Sequence, residues 1–544
     1  MADRFRLTMA QLNPITGDLA GNAARARSAW QQGRAAGAQL VALPQLFLSG
    51  GNAQDLLRSP AFTQACMDTA RQLAADCAEG PALAMGCPWI DGPRRYDAYL
   101  VCSGGRITAS VFRHHLGPSE DSRHFDSGPI GGPYALGTLR LGSPIGQDAW
   151  DEDVAETLAE TGAELLLVPD AAPYQRGGQD IRLAHMVARG IETGLPLVYL
   201  NMVGGQDDQI FEGGSFVLNP GGQAVLQLPV FEEAVAHLDL LRSPEGWRAA
   251  EGVFVPRPDD LEQDYHAMVL ALRDHCRKTG QDRVLLGLSG EAGSALAASI
   301  AVDALGAKHV RCVLLPSQQS PAAALEEAEA CAQALGCRCD VLPVDGAQAA
   351  LTATLAPLLG SAGPGLAGES LQPRLRALLL GALATGFGER LLTPCSKTAL
   401  AIGEATAHGA VAGGYNPIKD LYQTRIFDIC RWRNAQHRPW MSGPDHAPIP
   451  VGLLAAPRAA QTGRHALPEG PVLDGILQIL VDRDGSVADC VAAGFDRAGA
   501  LQVADLLHRG EGGRALTPPG ARLSPRAFGK DRRYPVAHRW RDPG

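Results

Sequence analysis

The chain has 544 residues, 19% of them charged and 46% from the AVILMFWYC set, an ordinary globular composition too long for a single core. A formal net charge of −10 gives no electrostatic footprint for nucleic acid or an anionic membrane surface. No apolar run is long enough to span a bilayer and no secretory h-region opens the chain, so a cytoplasmic protein is expected, its 12 scattered cysteines free thiols.

In chain order, Phe5 to Met9 reads as a strand, followed by an Ala/Arg-rich helix and a second strand from Leu40 to Leu43. Strands and helical stretches then alternate as far as GSFVLNPGGQAVLQL, whose Asn219-Pro220-Gly221-Gly222 is a hairpin turn. That alternation indicates an α/β domain. Ser243 to Asp260, rich in Pro and charge, reads as a linker, and a helix starts near Asp264. Val284 to Leu288 is an apolar strand, Ser289 to Ser294 a Ser/Gly turn, and an alanine-rich helix follows. The Ala/Gly-rich stretch 355–369 reads as a loop and Leu371 to Phe387 as helical. Cys337-Arg338-Cys339 lacks the spacing and partners of a zinc site, and no metal ligands are expected.

A strand–turn–helix unit aims backbone N–H groups and the positive end of a helix dipole at whatever sits above the turn, which suits phosphate or pyrophosphate. Ser289-Gly290-Glu291-Ala292-Gly293-Ser294 resembles the SGGxDS loop of N-type ATP pyrophosphatases. Together with AQLNPITGDLAGNAARA, NMVGGQDDQIFEGGSF, GGYNPIKDLYQTRIFDICRWRN and AFGKDRRYPVAHRWRD, it makes the whole chain resemble glutamine-dependent NAD synthetase. The resemblance implies a nitrilase-like α-β-β-α sandwich over residues 1–260 and a doubly wound α/β synthetase domain over 261–544.

It also implies site positions. A glutaminase of this type uses a cysteine nucleophile, a glutamate base and a lysine that steadies the oxyanion. The matching positions carry Gly146, Gln45 and Arg113, and the neighbouring substrate positions carry Ser119, Ala172 and Gly178. The family's ATP positions fall on Ser289, Gly290, Glu291, Gly293, Ser294 and Pro394. Its dinucleotide positions fall on Ser370, Lys397, Ala399, Tyr415, Asn416, Lys419 and Lys530. Gly293, Ala399 and Ala410 stand where the family has acidic groups, so the family's ATP and magnesium are not carried over, and the loop Ala455 to Gly470 reads as plain surface. The surviving Lys, Asp and Arg groups could instead form a dimer or interdomain ion network. Glu291 is expected to repel a pyrophosphate, or to dock its carboxylate into the helix N-terminus.

Three readings follow. The main one is a non-catalytic homologue with both sites degraded, assembling with itself or with an active paralogue as a homo- or hetero-oligomer. The alternative is an active synthetase that makes NAD from deamido-NAD, ATP and glutamine or ammonia. The third is a nucleotide or dinucleotide sensor, with a weak nucleotide ligand.

Overall fold

The computed structural model describes residues 4–51, 53–117, 120–359, 365–404, 412–454 and 467–543. The chain divides into two compact units, Met1–Gly204 with Ile210–Pro258, and Gly205–Gln209 with Asp259–Gly544.

The first unit is built from a seven-stranded and a six-stranded sheet. Period-2 alternation gives each sheet two apolar faces. Leu7, Met9, Ala84 and Val101 of the first sheet share one buried cluster with Leu141, Leu165, Leu167, Val198 and Val217 of the second. The alternate residues Ala10, Val41, Leu83 and Leu100 face Trp30, Ala70 and Leu73 of the helices Leu19–Ala35 and Pro60–Asp76. Leu166 and Val168 likewise face Val154, Leu158 and Met186 of Glu152–Glu160 and Gly178–Thr193. The result is the α-β-β-α sandwich. The hairpin Phe216–Asn219 to Gln223–Gln227 turns through Gly221 and Gly222, at φ 88° and 84°.

Part of the expected linker is sheet. Gly246–Ala249 pairs antiparallel with Ala234–Ser243, and Trp247 and Ala249 bury their side chains in the central cluster. Two alternating apolar residues outweigh the surrounding Pro and charge.

In the second unit a helix runs over Asp260–Thr279. The Asp259 carboxylate accepts from the N–H of Leu261 and Glu262 at its start, and Gly280 ends it at φ 70°. Four parallel strands stand in the order Arg338–Val341, Val310–Leu314, Val284–Gly287, Arg390–Leu391. Numbered along the chain that order is 3-2-1-4, so the progression of strand order reverses between Val284–Gly287 and Arg390–Leu391. Ligands of doubly wound sheets bind at the carboxyl ends beside such a switch point. Ser289 follows the first of these strands and Thr393 the second, and the expected helix begins at Ala292. The stretch read as a loop over 355–369 is helical wherever it is described, in Asp345–Leu359 and Gly365–Phe387. Alanine and leucine propensity prevails there over its glycines. Among the described residues no helix is long and apolar enough to cross a membrane.

Arg433 and Asp303 form a buried two-pronged pair at 2.7 and 3.2 Å, and Tyr265 donates its hydroxyl to the same carboxylate at 2.5 Å. Removing one partner of such a pair strands the other charge and costs about 3–5 kcal/mol. Asp303→Ala should therefore lower the urea midpoint of the second unit, followed through the fluorescence of the nearby Trp432. A midpoint within error of wild type would show that Arg433 finds another partner.

Candidate functional site

The sandwich brings its three expected positions together. Gln45 is buried after the strand Leu40–Ala42; its amide donates to Asp97, and its carbonyl accepts from the N–H of Ala171 at 3.0 Å. Arg113 lies 3.6 Å from Asp97 and donates to the carbonyl of His115 at 2.9 Å and to Gln147 at 3.1 Å. Gly146 opens a short turn of helix at φ 52°, and a Cβ there would sit 3.0 Å from the Gln45 carbonyl and 3.1 Å from Asp170. A side chain at 146 would thus point at Gln45. Ala172 and Gly178 lie nearby in the chain, the N–H of Ala172 donating to Asn201 and Gly178 starting a helix; Ser119 lies outside the described residues.

Three carboxylates here escaped the sequence reading as site groups. Asp97 is buried with Gln45 and Arg113; its signal was a lone charge in the apolar run Tyr96 to Val101. Asp148 accepts from the N–H of His114, His115 and Ile145, and burial holds its pKa above the usual carboxylate range. Burial also raises Asp170, which accepts from the Tyr199 hydroxyl. Burial pushes Cys102 up to about 12 and Cys87 well above its usual value.

In the second unit the turn 289–294 is open. Ser289 and Glu291 are exposed, and Gly290 sits at φ 76° where an added Cβ would meet the Ala324 carbonyl. Ser294 ties the turn, accepting from the Ser289 N–H at 3.2 Å and donating to the Glu291 carbonyl at 2.9 Å. Glu291 is the N-cap residue of Ala292–Leu305, yet its carboxylate makes no capping bond. The expected docking into the helix N-terminus is therefore corrected. Its charge acts instead on two neighbours: Arg376, whose pKa burial lowers and Glu291 raises, and Glu404, which burial and then Glu291 both raise. Gly293 leaves room, since a Cβ would come no closer than 3.5 Å to Ile418.

Buried polar atoms without partners gather in this region. Among the described residues they include Arg376 Nε, Thr393 Oγ1 and the Tyr415 hydroxyl. Tyr415 is fully buried, its ring 4.5 Å from His275, and its strand bridge to Leu392 places it beside Thr393. Unsatisfied buried groups are rare and need an explanation, of which a catalytic or binding role is one.

The other expected positions divide. Lys397 is wholly buried, its ammonium 2.8 Å from Asp482, Ser524 and the Arg526 carbonyl and 3.0 Å from Asp420. All of these partners lie within the second unit, so this network is neither a dimer nor an interdomain one. Asn416 holds a turn, donating to the Cys395 carbonyl and accepting from Ile418. Lys419 lies 3.6 Å from Asp208, and Lys530 lowers the pKa of Asp207, which burial raises. The Ala399 N–H donates to the Ser396 hydroxyl, and Pro394 is half-buried between Thr393 and Cys395. Ser370 lies in a helix whose side chains there are outside the described residues, as are Ala410 and the part of the expected surface loop at 455–466.

Two family patterns match the two units. The carbon-nitrogen hydrolase pattern covers residues 6–244 and the NAD synthase pattern residues 264–516. The class is a carbon-nitrogen hydrolase fused to an NAD synthase. A glutamine-dependent NAD(+) synthetase of Rhodobacter capsulatus is 51% identical over 100% of both chains. One from Xylella fastidiosa strain Temecula1 is 35% identical over 99% of this chain and 100% of its own. The solved structure of the Acinetobacter baumannii glutamine-dependent NAD+ synthetase with ADP superposes with a TM-score of 0.78 at 29% identity, covering 98% of each chain. The chain belongs to the glutamine-dependent NAD(+) synthetase family. These end-to-end matches to named synthetases overturn the main expectation, that the chain is a non-catalytic homologue with both sites degraded. Differences at single motif positions were weighed there without the surroundings that the fold supplies.

The N-terminal cluster generates a pH-dependent prediction. In Gln45→Glu a second carboxylate would face Asp97 in place of an amide N–H, with Arg113 the cation beside them. Like charges so placed raise one acid of the pair above its unfolded value near 4. A group raised in the folded state favours folding at low pH and opposes it as pH climbs through the raised value. Gln45→Glu should therefore melt further below wild type at pH 8 than at pH 5. An equal gap at both values would mean that Arg113 keeps both acids ionised.

Proposed function

We propose that this chain is an active NAD synthetase, forming NAD from deamido-NAD and ATP with ammonia or the amide nitrogen of glutamine. The observation that carries the reading is the 51% identity, over 100% of both chains, to a relative named for that activity. In the reaction a nicotinate carboxylate oxygen attacks the α-phosphorus of ATP and pyrophosphate leaves. Ammonia then attacks the acyl carbon, the acyl C–O bond breaks, AMP leaves and the nitrogen sheds a proton.

The second unit suits the first half of that chemistry. The open turn 289–294 and the first N–H groups of Ala292–Leu305 would receive the leaving pyrophosphate. Arg376 Nε, a buried donor without a hydrogen-bond partner among the described residues, is the group we assign to phosphate oxygen. Glu291 and Glu404 are the carboxylates this chain offers to magnesium, in place of an acid at Gly293. When bound, magnesium would neutralise developing phosphate charge. Thr393 and Tyr415 present hydroxyls at the switch point for the remainder of the substrates. Free cysteines suit reducing cytoplasm as the location, and the resemblance suggests a homo-oligomer.

Purified protein supplied with deamido-NAD and Mg-ATP should form NAD when given an ammonium salt. A parallel assay with glutamine reads whether the first unit releases ammonia although residue 146 is glycine. Absence of NAD with either donor would sink the proposal. Arg376→Ala should raise the KM for ATP by about 10-fold or more, the worth of a hydrogen bond to a charged group.

A further inference from the structure

His114, His115 and Asp153 each bring one donor atom to a common point, all within 4.8 Å of one another. The sequence reading expected no metal ligands, on the spacing of Cys337 and Cys339 and the acids absent at 293, 399 and 410, and did not consider these three residues as ligands. The fold brings them together. His114 and His115 follow Arg113 in the segment after the strand Arg106–Phe112, and Asp153 lies in the first turn of the helix Glu152–Glu160.

We propose that these three residues form a binding site for a borderline divalent cation of the zinc class. Two imidazoles and one carboxylate are the donor set that zinc, cobalt and nickel take up, whereas magnesium and calcium favour oxygen alone. The histidines are prepared for it. His114 Nδ1 lies 2.6 Å from the Gly128 carbonyl, so that nitrogen carries the proton and donates, and Nε2 keeps its lone pair. His115 Nε2 lies 2.9 Å from Asp153, and its Nδ1 lies 3.9 Å from the exposed carboxylate of Asp151. Donors around zinc sit about 2.0–2.2 Å from the ion, so the three must draw together slightly. Rotation of half-exposed His115 and exposed Asp153 supplies that movement. A water or Asp151 would complete four-coordination.

The site is separate from the proposed ATP chemistry and stands on its own observations. The backbone N–H groups of His114 and His115 both donate to Asp148, which also holds the Ile145 N–H ahead of Gly146. A bound ion would fasten the segment carrying Arg113 to the helix that follows the Gly146 turn.

The test uses untagged full-length protein, dialysed against chelator and titrated with Co²⁺. Visible absorption reports the ligands and equilibrium dialysis the stoichiometry. One equivalent is expected, with weak d–d bands and no strong thiolate charge-transfer band. His115→Ala and, separately, the surface change Asp153→Asn should each weaken binding about 10-fold or more, with Cys337→Ser unaffected. Circular dichroism checks that each variant is folded. Three results would overturn the assignment: no bound Co²⁺, a thiolate band lost in Cys337→Ser, or unchanged affinity in both His115→Ala and Asp153→Asn.

Discussion

The Lys397 ammonium is the tie on which the Tyr415 to Asp420 wall of the second unit depends. It is wholly buried and meets Asp420, Asp482, Ser524 and the Arg526 carbonyl, joining segments far apart in the chain. Burying a charge is costly unless its partners are complete. Here they are: Asp420 also accepts from the N–H groups of Leu523 and Ser524 and from the Ser524 hydroxyl. Burial alone would raise Asp420, yet Lys397 and these donors hold it below its usual value. With both sides satisfied, the run from Tyr415 to Asp420 is anchored at its far end, and Tyr415 stays against His275. A lysine so saturated positions the wall and has no donor left for a ligand.

The first unit solves a related problem with fewer charges. Asp97 and Arg113 are buried together, and Gln45 bridges from Asp97 to the Ala171 N–H without adding charge. An amide can donate on one side and accept on the other, which an ionised carboxylate cannot. Residue 45 is thus part of a balanced trio, one acid, one base and a neutral bridge. The trio explains why Gln45 is well seated, independently of how the nitrogen of the reaction is supplied.

Much of the fold was legible because it rests on short-range patterns. The alternation around Leu165 to Val168 assigns each residue to its layer, and the Gly221-Gly222 pair permits the hairpin. Reading failed where local cues compete or partners are distant. Glycines made 355–369 look like a loop, although alanine and leucine carry helix through its described residues. Pro and charge hid the strand at Trp247. In the sites, Gln45, Arg113 and Gly146 were found as a set through motif likeness, but Asp97 was not, since its meaning lies in contacts 16 to 52 residues away. The networks of Lys397 and the neighbours of Glu291 are of the same kind.

Glu291 shows how much depends on those neighbours. Taken alone, a carboxylate about 5 Å from pyrophosphate costs about 3 kcal/mol at an effective dielectric near 20. That estimate treats the loop as a lone negative charge. In the folded chain Glu291 stands within electrostatic reach of Arg376, which offsets it, and of Glu404, which adds to it. A nucleotide carrying magnesium reverses the sign of the sum, because a divalent cation between carboxylates and phosphate is attracted to both. Under the synthetase reading, acid moved from position 293 to 291 changes where the ion is held rather than removing its ligands. The helix N-terminus, left uncapped by the Glu291 side chain, remains open to the phosphate.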